Sequence, residues 1–211
     1  SEATSGPRLV TVLDASSSML EPASDGGTRA DAARGALLGV IETLDPEQRV
    51  GLRQFGATVV GLDDPASCTD SQLTVPIAAD NRQALRDAAT SYLPYGETPI
   101  AYALSEAGKD LGPQGQRTML LISDGESNCD PDPCTVAGEL AAQGIDLTLH
   151  VVGFDEQFTR TAIKYRLRRC ARRTRLYREC WRRPVLRCHR HLRADQRVDE
   201  GIHPRLPGLH P

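Results

Sequence analysis

The chain has 211 residues and a formal net charge of −3, which suits one domain of ordinary size and by itself favours no class of partner. The net charge hides two different halves, because residues 1–155 hold 23 Asp/Glu and 9 Lys/Arg whereas residues 156–211 hold 5 and 16. No apolar run approaches the roughly 18 to 20 residues that a membrane helix needs, so the sequence predicts no membrane span.

Apolar runs of strand length alternate with amphipathic segments along the first 155 residues. Thr28 and Asp31 have the spacing of a capping box, and Asp80 is expected to cap a later helix with Gln83 three residues on. Residues 1–7 are interpreted as a leader. In chain order we predict strand 8–14, helix 28–44, strands 49–56 and 57–63 about a tight turn, strand 73–77, helix 80–93, helix 99–111, strand 117–124, helix 133–143 and strand 145–154.

The alternation of strands and helices predicts the fold class. It implies right-handed β-α-β crossovers, and therefore an α/β, doubly wound domain with a mostly parallel central sheet and helices on both faces. We assign this domain to residues 8–155 and expect it to be monomeric.

Polar side chains gather at the predicted carboxyl ends of the strands, where open α/β sheets bind ligands. They lie in DASSS after the first strand, in GET before the helix at 99–111, and in SDG after the strand at 117–124. These segments offer five oxygen donors and neither nitrogen nor sulfur: Asp14, Ser16, Ser18, Thr98 and Asp124. Such a set suits a hard divalent cation, Mg²⁺ or else Mn²⁺ or Ca²⁺, and argues against zinc. With only two negative charges, the coordination shell would stay open to an external carboxylate.

The three segments together resemble a von Willebrand factor type A domain with a metal-ion-dependent adhesion site, and in particular the extracytoplasmic domains of this kind in bacteria. The resemblance covers about residues 8–155. It implies that Ser16, Ser18 and Thr98 bind the ion directly, and that Asp14 and Asp124 bind it directly or through water. It also implies a cation-dependent protein-binding module, used in adhesion or as a scaffold, whose partner protein offers a carboxylate.

Two enzyme classes compete with this interpretation. An aspartate-dependent phosphotransferase could use Asp14 as its nucleophile, but the haloacid-dehalogenase pattern requires a second aspartate where Ser16 stands, and the candidate loops contain no lysine. A serine hydrolase would need a base, and the only histidine before residue 156, His150, lies in a predicted strand. We therefore predict a binding module and no enzyme, with the phosphotransferase as an alternative.

The six cysteines are many for a cytosolic domain of this size, so we expect an extracytoplasmic location. Cys129 and Cys134 bracket the sequence DPDP, and we predict a local disulfide between them, the alternative being two thiols. Cys68 lies in a polar loop and has no predicted partner.

Residues 156–211 form an Arg-rich tail in which 15 of the 16 basic residues are arginine. Such a composition is typical of a GC-rich coding sequence translated out of frame, and a frame error near residues 155–164 would have removed the last helix of the domain. A basic tail that binds nucleic acid and a disordered tail are the alternatives. We expect no nucleic acid among the partners.

Overall fold

Five strands form one sheet in the computed structural model, which describes residues 6–23, 26–59, 63–124 and 127–151, without the side chains of 147–151. Predictions about residues 156–211, including the frame error and the missing helix, lie outside the described residues. The strands are β1 (Arg8–Asp14), β2 (Arg49–Phe55), β3 (Ser71–Ala78), β4 (Arg117–Ser123) and β5 (Ile145–Val151).

The sheet is mostly parallel, as predicted. Its strand order is β3-β2-β1-β4-β5, with β1 paired in parallel to both β2 and β4, and β5 parallel to β4. Only β3 runs antiparallel, and it pairs with β2 at one edge through a ladder with two irregularities. The carboxyl ends of β1 and β4 are therefore neighbours.

Two helices cover each face of the sheet. The helices are α1 (Arg29–Thr43), α2 (Arg82–Ser91), α3 (Ile100–Leu111) and α4 (Pro133–Ala142). Leu37 of α1 and Leu85 of α2 belong to one buried cluster, and Leu104 of α3 and Leu140 of α4 belong to the other. This arrangement confirms the doubly wound fold class.

Strand β1 explains why one short segment can serve both cores. Successive side chains of a strand point to opposite faces. Leu9 and Leu13 accordingly join the cluster under α1 and α2, while Val10 and Val12 join the cluster under α3 and α4. The strand is buried on both faces, as its continuous apolar sequence predicts.

The capping box that begins α1 is present: Thr28 Oγ1 accepts from the Asp31 N–H (3.1 Å), and Asp31 Oδ2 accepts from the Thr28 N–H (3.0 Å). The cap predicted for α2 is wrong. The helix begins at Arg82 after Asn81, not after Asp80. Asn81 makes no capping hydrogen bond, because its side-chain oxygen accepts from Arg82 Nη1 (3.3 Å). Its Nδ2 donates to the carbonyls of Val50 (2.7 Å) and Pro76 (2.8 Å) and so ties the helix to two strands.

The strand predicted at 57–63 is also wrong where the structure describes it, since residues 57–59 belong to no strand. The buried carboxylate of Asp70 explains the path of this segment. It accepts hydrogen bonds from the backbone N–H groups of Thr58 (2.8 Å) and Val59 (2.9 Å), which would otherwise be available to a sheet ladder.

Candidate metal site

The segment that follows β1 holds three of the predicted donors in one compact turn. Asp14, at the end of the strand, accepts from the Ser16 N–H at Oδ1 (2.8 Å) and from the Ser123 hydroxyl at Oδ2 (2.6 Å). The hydroxyls of Ser16 and Ser18 are 3.1 Å apart. Asp14 and Ser16 are fully buried and Ser18 is half-buried, whereas the Ser17 side chain between them is exposed. Because donors alternate along DASSS, the hydroxyls of Ser16 and Ser18 lie next to each other, while the Ser17 side chain points to solvent.

Asp124, the second predicted carboxylate, follows β4 and is fully buried. The side chain of Arg29, the first residue of α1, donates from Nη1 to Asp124 Oδ2 at 2.9 Å. The same guanidinium contacts Glu21 Oε2 from Nη2 at 2.8 Å. A buried carboxylate of the site is thus paired with a cation that belongs to the protein.

The negative charge of Asp124 acts on the Asp14 carboxyl. Burial raises the pKa of the Asp14 carboxyl to about 7, hydrogen bonds from Ser123 and Ser16 oppose this rise, and the negative charge of Asp124 adds to it. An additional positive charge at the carboxyl ends of β1 and β4 would stabilise the ionised form of Asp14.

The loop that carries Thr98 packs against the segment after β1. The N–H of Tyr95 donates to the Ala15 carbonyl (3.0 Å), and the N–H of Ser17 donates to the Gly96 carbonyl (2.9 Å). Ser16 and Gly96 form an isolated parallel bridge. Thr98, which is itself buried, stands two positions after Gly96 in the sequence, so these backbone bonds hold its loop against the segment that carries Ser16.

Thr98 is also tied to the loop that follows Asp124. Its N–H donates to Asn128 Oδ1 (2.9 Å), and its carbonyl accepts from the Ser127 hydroxyl (3.0 Å). Asn128 also donates from Nδ2 to Glu97. The three predicted segments therefore meet at one edge of the sheet, and the Thr98 loop contacts both of the others.

Two glycines permit this close approach. A Cβ at Gly96 would lie 2.6 Å from the Gly56 carbonyl oxygen, and a Cβ at Gly56 would lie 2.5 Å from the Glu97 carbonyl oxygen. Gly56 also has a φ of +68°, which side chains other than glycine rarely adopt. The sequence shows both glycines but not their contact, which joins residues 40 positions apart.

The predicted disulfide between Cys129 and Cys134 is wrong. Cys129 is bonded to Cys68, with the two Cα atoms 5.5 Å apart, and Cys134 is a buried cysteine outside the disulfide. The reason is tertiary, because the fold brings Cys68 within bridging distance of Cys129. Cys134 lies in the first turn of α4, where its N–H donates to the capping carboxylate of Asp132 (3.1 Å). The disulfide connects the loop between β2 and β3 with the loop that follows Asp124.

The donor set fits a hard divalent cation. All five side chains present oxygen, and two of them are carboxylates that are buried away from bulk water. Within the described part of the chain, no three or more His, Cys, Asp or Glu residues cluster as metal ligands, so an ion at this edge would depend on the serine and threonine hydroxyls.

Sequence reasoning missed four residues that hold these donors in place: Glu21, Arg29, Ser123 and Asn128. Ser123 stands beside Asp124 in the SDG segment, and its position at the end of a strand next to β1 is a signal that could have revealed it. Glu21 and Asn128 stand only a few positions after Ser18 and Asp124, but no local pattern shows their contacts with Arg29 and Thr98, which only the tertiary fold makes.

Comparison with known families identifies the fold. Residues 9–126 match the family model of the von Willebrand factor type A domain. The chain belongs to this family. The match includes Asp14, Ser16, Ser18, Thr98 and Asp124, and VWA domains are commonly metal-dependent modules of protein interaction.

The relatives of this VWA domain include bacterial proteins. The chain is 29% identical over 159 residues to YwmC of Bacillus subtilis, a similarity that spans 73% of this chain and 69% of YwmC. An aerotolerance-related membrane protein of Bacteroides fragilis shares the fold with a TM-score of 0.57 at 22% identity, over 77% of this chain and 82% of that one. Within the described residues, no helix is both long and apolar enough to cross a bilayer.

Two structures with the same fold contain a metal ion. The manganese-loaded TRAP protein of Plasmodium vivax superposes with a TM-score of 0.53 at 20% identity, over 74% of this chain and 62% of that one. A thread matrix protein of the mussel byssus, with a zinc-occupied adhesion-site motif, superposes with a TM-score of 0.51 at 15% identity, over 69% and 37%. At these identities the likeness shows a shared fold.

Proposed function

We propose that this VWA domain binds a partner protein through a divalent cation, with Mg²⁺ as the first choice and Mn²⁺ or Ca²⁺ as alternatives. Asp14, Ser16, Ser18, Thr98 and Asp124 would hold the ion. When bound, the ion supplies an electrophilic position that accepts a carboxylate of the partner.

The observation that carries this proposal is the pair of fully buried carboxylates, Asp14 and Asp124, at the ends of neighbouring strands. Removing a carboxylate from water costs several kcal/mol unless a cation or hydrogen bonds compensate. Arg29 provides one positive charge, and it contacts Asp124. One negative charge remains, and a divalent cation between the two strand ends would exceed it by one positive charge, which a carboxylate of the partner could neutralise.

The residues around the carboxylates prepare this function before any ion arrives. The Ser16 N–H and the Ser123 hydroxyl each fix one oxygen of Asp14, so its orientation is set. The backbone bonds of Tyr95 and Ser17 hold the Thr98 loop against the same turn. Preorganised ligands lose little conformational entropy on binding, which favours affinity.

The metal-bearing VWA structures support the class of ligand. Manganese in the TRAP protein is a hard ion of the kind that the oxygen donors suit, whereas zinc in the byssus protein shows that the same kind of motif can hold a softer one. We therefore propose that this chain binds several divalent ions. The oxygen donors then favour hard ions over zinc without excluding zinc. The disulfide between Cys68 and Cys129 supports an extracytoplasmic location. We also propose that the domain is monomeric and that it binds proteins and no nucleic acid.

The first experiment measures the melting temperature with Mg²⁺, Mn²⁺ or Ca²⁺, and again after chelation. We expect each ion to raise the melting temperature of the wild type, because binding to the native state stabilises it by mass action. The variant Asp14→Asn should lose this rise. It should remain folded, since asparagine removes a charge whose burial is costly.

Asp70→Asn is the matched control, because Asp70 is another buried aspartate near this edge and lies outside the proposed donor set. Its melting temperature should be lower than that of the wild type, and the rise with cation should persist. A wild type without any cation-dependent rise, or an Asp14→Asn variant with the full rise, would refute the metal site.

The partner's chemistry is tested with immobilised peptides that carry one central aspartate or, as the control, asparagine. Binding should require both the aspartate and the divalent cation. Equal retention of the two peptides would contradict a carboxylate ligand while leaving the metal site intact.

A further inference from the structure

Arg29 occupies an unusual position between a buried and an exposed carboxylate. Its side chain is 20% exposed, whereas Asp124 is fully buried and the Glu21 side chain is 58% exposed. One nitrogen, Nη1, serves Asp124, and the other, Nη2, serves Glu21. The guanidinium thus has one partner inside the site and one at its rim.

Local structure holds Arg29 and Glu21 together. The Arg29 N–H donates to the Glu21 carbonyl (2.9 Å), and Pro22 and Thr28 form an antiparallel bridge beside it. The capping box at Thr28 fixes the point at which α1 begins, so that Arg29 is its first residue. Both side chains therefore project from a closed turn next to the candidate site.

From this geometry we infer that Arg29 is a positioning residue that serves as the internal counter-ion of Asp124 and competes there with the divalent cation. When the cation binds Asp124, the guanidinium keeps its ion pair with Glu21. The inference rests on the proposed function, because it concerns the cation that the five donors would bind.

The physical basis is charge. The Arg29 guanidinium is a cation, and it lies 2.9 Å from the Asp124 carboxylate that an arriving metal ion would contact. Its bond to Asp124 keeps that buried carboxylate paired in the metal-free domain, where an unpaired charge would be strongly destabilising. The same positive charge repels an arriving cation, so that Arg29 stabilises the metal-free protein and weakens cation binding.

These two effects have opposite signs, and they distinguish this role from a merely structural one. Replacing Arg29 by glutamine removes the charge and keeps an N–H donor for Asp124. We expect the metal-free Arg29→Gln protein to melt at a lower temperature than the wild type and to bind Mn²⁺ roughly tenfold more tightly, since a neighbouring positive charge is gone. A residue with only a structural role would lower stability without any gain in affinity.

Glu21→Gln should have the opposite effect on affinity. Without the Glu21 carboxylate, the Arg29 guanidinium is held less well away from Asp124 and competes more strongly with the ion. Mn²⁺ binding should therefore weaken several-fold. In the Arg29→Gln background, Glu21→Gln should change the affinity little, because the charge that Glu21 draws away is absent. The non-additivity of the double variant measures the coupling between the two side chains.

Arg34→Met is the matched control. Arg34 lies on the same helix and pairs with Asp31 at 2.8 Å, and it contacts none of the proposed donors. It also donates to the Ala89 carbonyl and stacks on Tyr92, so its loss should lower the melting temperature. Its Mn²⁺ affinity should equal that of the wild type.

The experiment is a calorimetric titration of each full-length variant with Mn²⁺ alone, together with thermal unfolding of the metal-free proteins. Arg29→Met is measured as a second variant in case glutamine prevents folding. Tighter Mn²⁺ binding by an Arg29 variant and weaker binding by Glu21→Gln support the inference. If the wild type binds Mn²⁺ and the Arg29 variants bind it with equal or lower affinity, this inference alone is overturned. If neither the wild type nor the Arg29 variants bind Mn²⁺, the proposed function is overturned as well.

Discussion

Single side chains decide the electrostatics of this domain, and the two buried carboxylates do so in different ways. Asp14 receives neutral donors, the Ser16 N–H and the Ser123 hydroxyl, whereas Asp124 receives the charged guanidinium of Arg29. Burial raises the pKa of the Asp14 carboxyl, whereas Asp124 has a charged partner within the protein. The two aspartates of the motif are therefore not equivalent in the metal-free protein.

Gly96→Ala should destabilise the domain by about 2 kcal/mol, the usual scale for forcing a methyl group into a packed position. The added Cβ would lie 2.6 Å from the Gly56 carbonyl oxygen, and both are backbone positions that cannot rotate away. The Thr98 loop should move as a result, so we expect weaker cation binding as well. Urea denaturation and a Mn²⁺ titration measure the two effects.

Gly39→Ala provides the control of opposite sign. Gly39 lies inside α1, and a Cβ there would meet no atom within 4 Å. Alanine should stabilise the helix by roughly 0.5 to 1 kcal/mol through its better propensity. If Gly96→Ala proved as well tolerated as Gly39→Ala, the close contact between Gly56 and Gly96 would be contradicted.

The Asp70 carboxylate predicts a pH dependence of stability. Burial alone would raise the pKa of Asp70, but hydrogen bonds from the Thr58 hydroxyl and from the Val59 and Thr58 N–H groups hold it below its ordinary value of 3.8. A carboxyl whose pKa is lowered by folding stabilises the protein above its unfolded pKa, and this contribution is lost as the pH falls through the folded value. Asp70→Asn should therefore be less stable than the wild type at neutral pH.

The difference between Asp70→Asn and the wild type should shrink as the pH is lowered below 3.8, because the wild-type side chain then becomes neutral too. Thermal unfolding at a series of pH values measures it. A difference that stays constant from neutral to acid pH would show that the charge of Asp70 contributes nothing.

At the scale of elements, the candidate site is made of loops that the strands and helices hold in place. The segment after β1, the loop before α3 and the loop after β4 meet at one edge because β1 and β4 are parallel neighbours. Loops placed by a rigid scaffold are common carriers of binding residues. The disulfide adds a covalent link between two of the connections at this edge.

Replacing Cys68 and Cys129 together by serine should destabilise the domain by about 4 kcal/mol, the loop-closure value for a separation near 60 residues. Cys129 follows Asn128, which contacts Thr98, so cation affinity should fall as well. Chemical denaturation and a Mn²⁺ titration of the double variant measure both losses. Cys134→Ser is the control and should retain the disulfide.

Peptide mapping without reduction tests the pairing directly. A fragment that joins Cys68 to Cys129 is expected. Recovery of a fragment that joins Cys129 to Cys134 would contradict the pairing and restore the local disulfide.

At the scale of the whole molecule, the charge is divided along the chain. Residues 1–155, with 23 acidic and 9 basic side chains, include every proposed metal ligand, whereas the excess of arginine lies in residues 156–211. An acidic domain attracts cations to its surface, in keeping with the proposed function. The tail lies outside the described residues, and its origin stays a prediction.

That prediction is tested by translating the coding DNA in its two other forward frames. We expect one of them to give, after about residue 155, an amphipathic helix with apolar residues at a period of 3.6. If neither frame gives such a helix, a frame error is refuted and the basic tail must be taken as native. Steeply salt-dependent binding of nucleic acid that disappears on truncation after Asp155 would then indicate its role.

The sequence by itself determined most of the elements and the family. Buried parallel strands read as continuous apolar runs, and the Thr28 capping box marks the first residue of α1, because these are short-range properties of the chain. The order of the three polar segments was sufficient to predict the VWA fold. It also predicted which side chains lie at its carboxyl edge, while their role as metal ligands stays a proposal.

The tertiary structure decided what joins distant positions. It paired Cys68 with Cys129, directed Asn81 to two carbonyls instead of a helix cap, and used the Thr58 and Val59 N–H groups to bind Asp70 instead of a strand. It also placed Arg29 against Asp124, 95 residues away. Each of these outcomes depends on which loops meet in space, and a local pattern carries no information about such meetings because several partners satisfy it equally well.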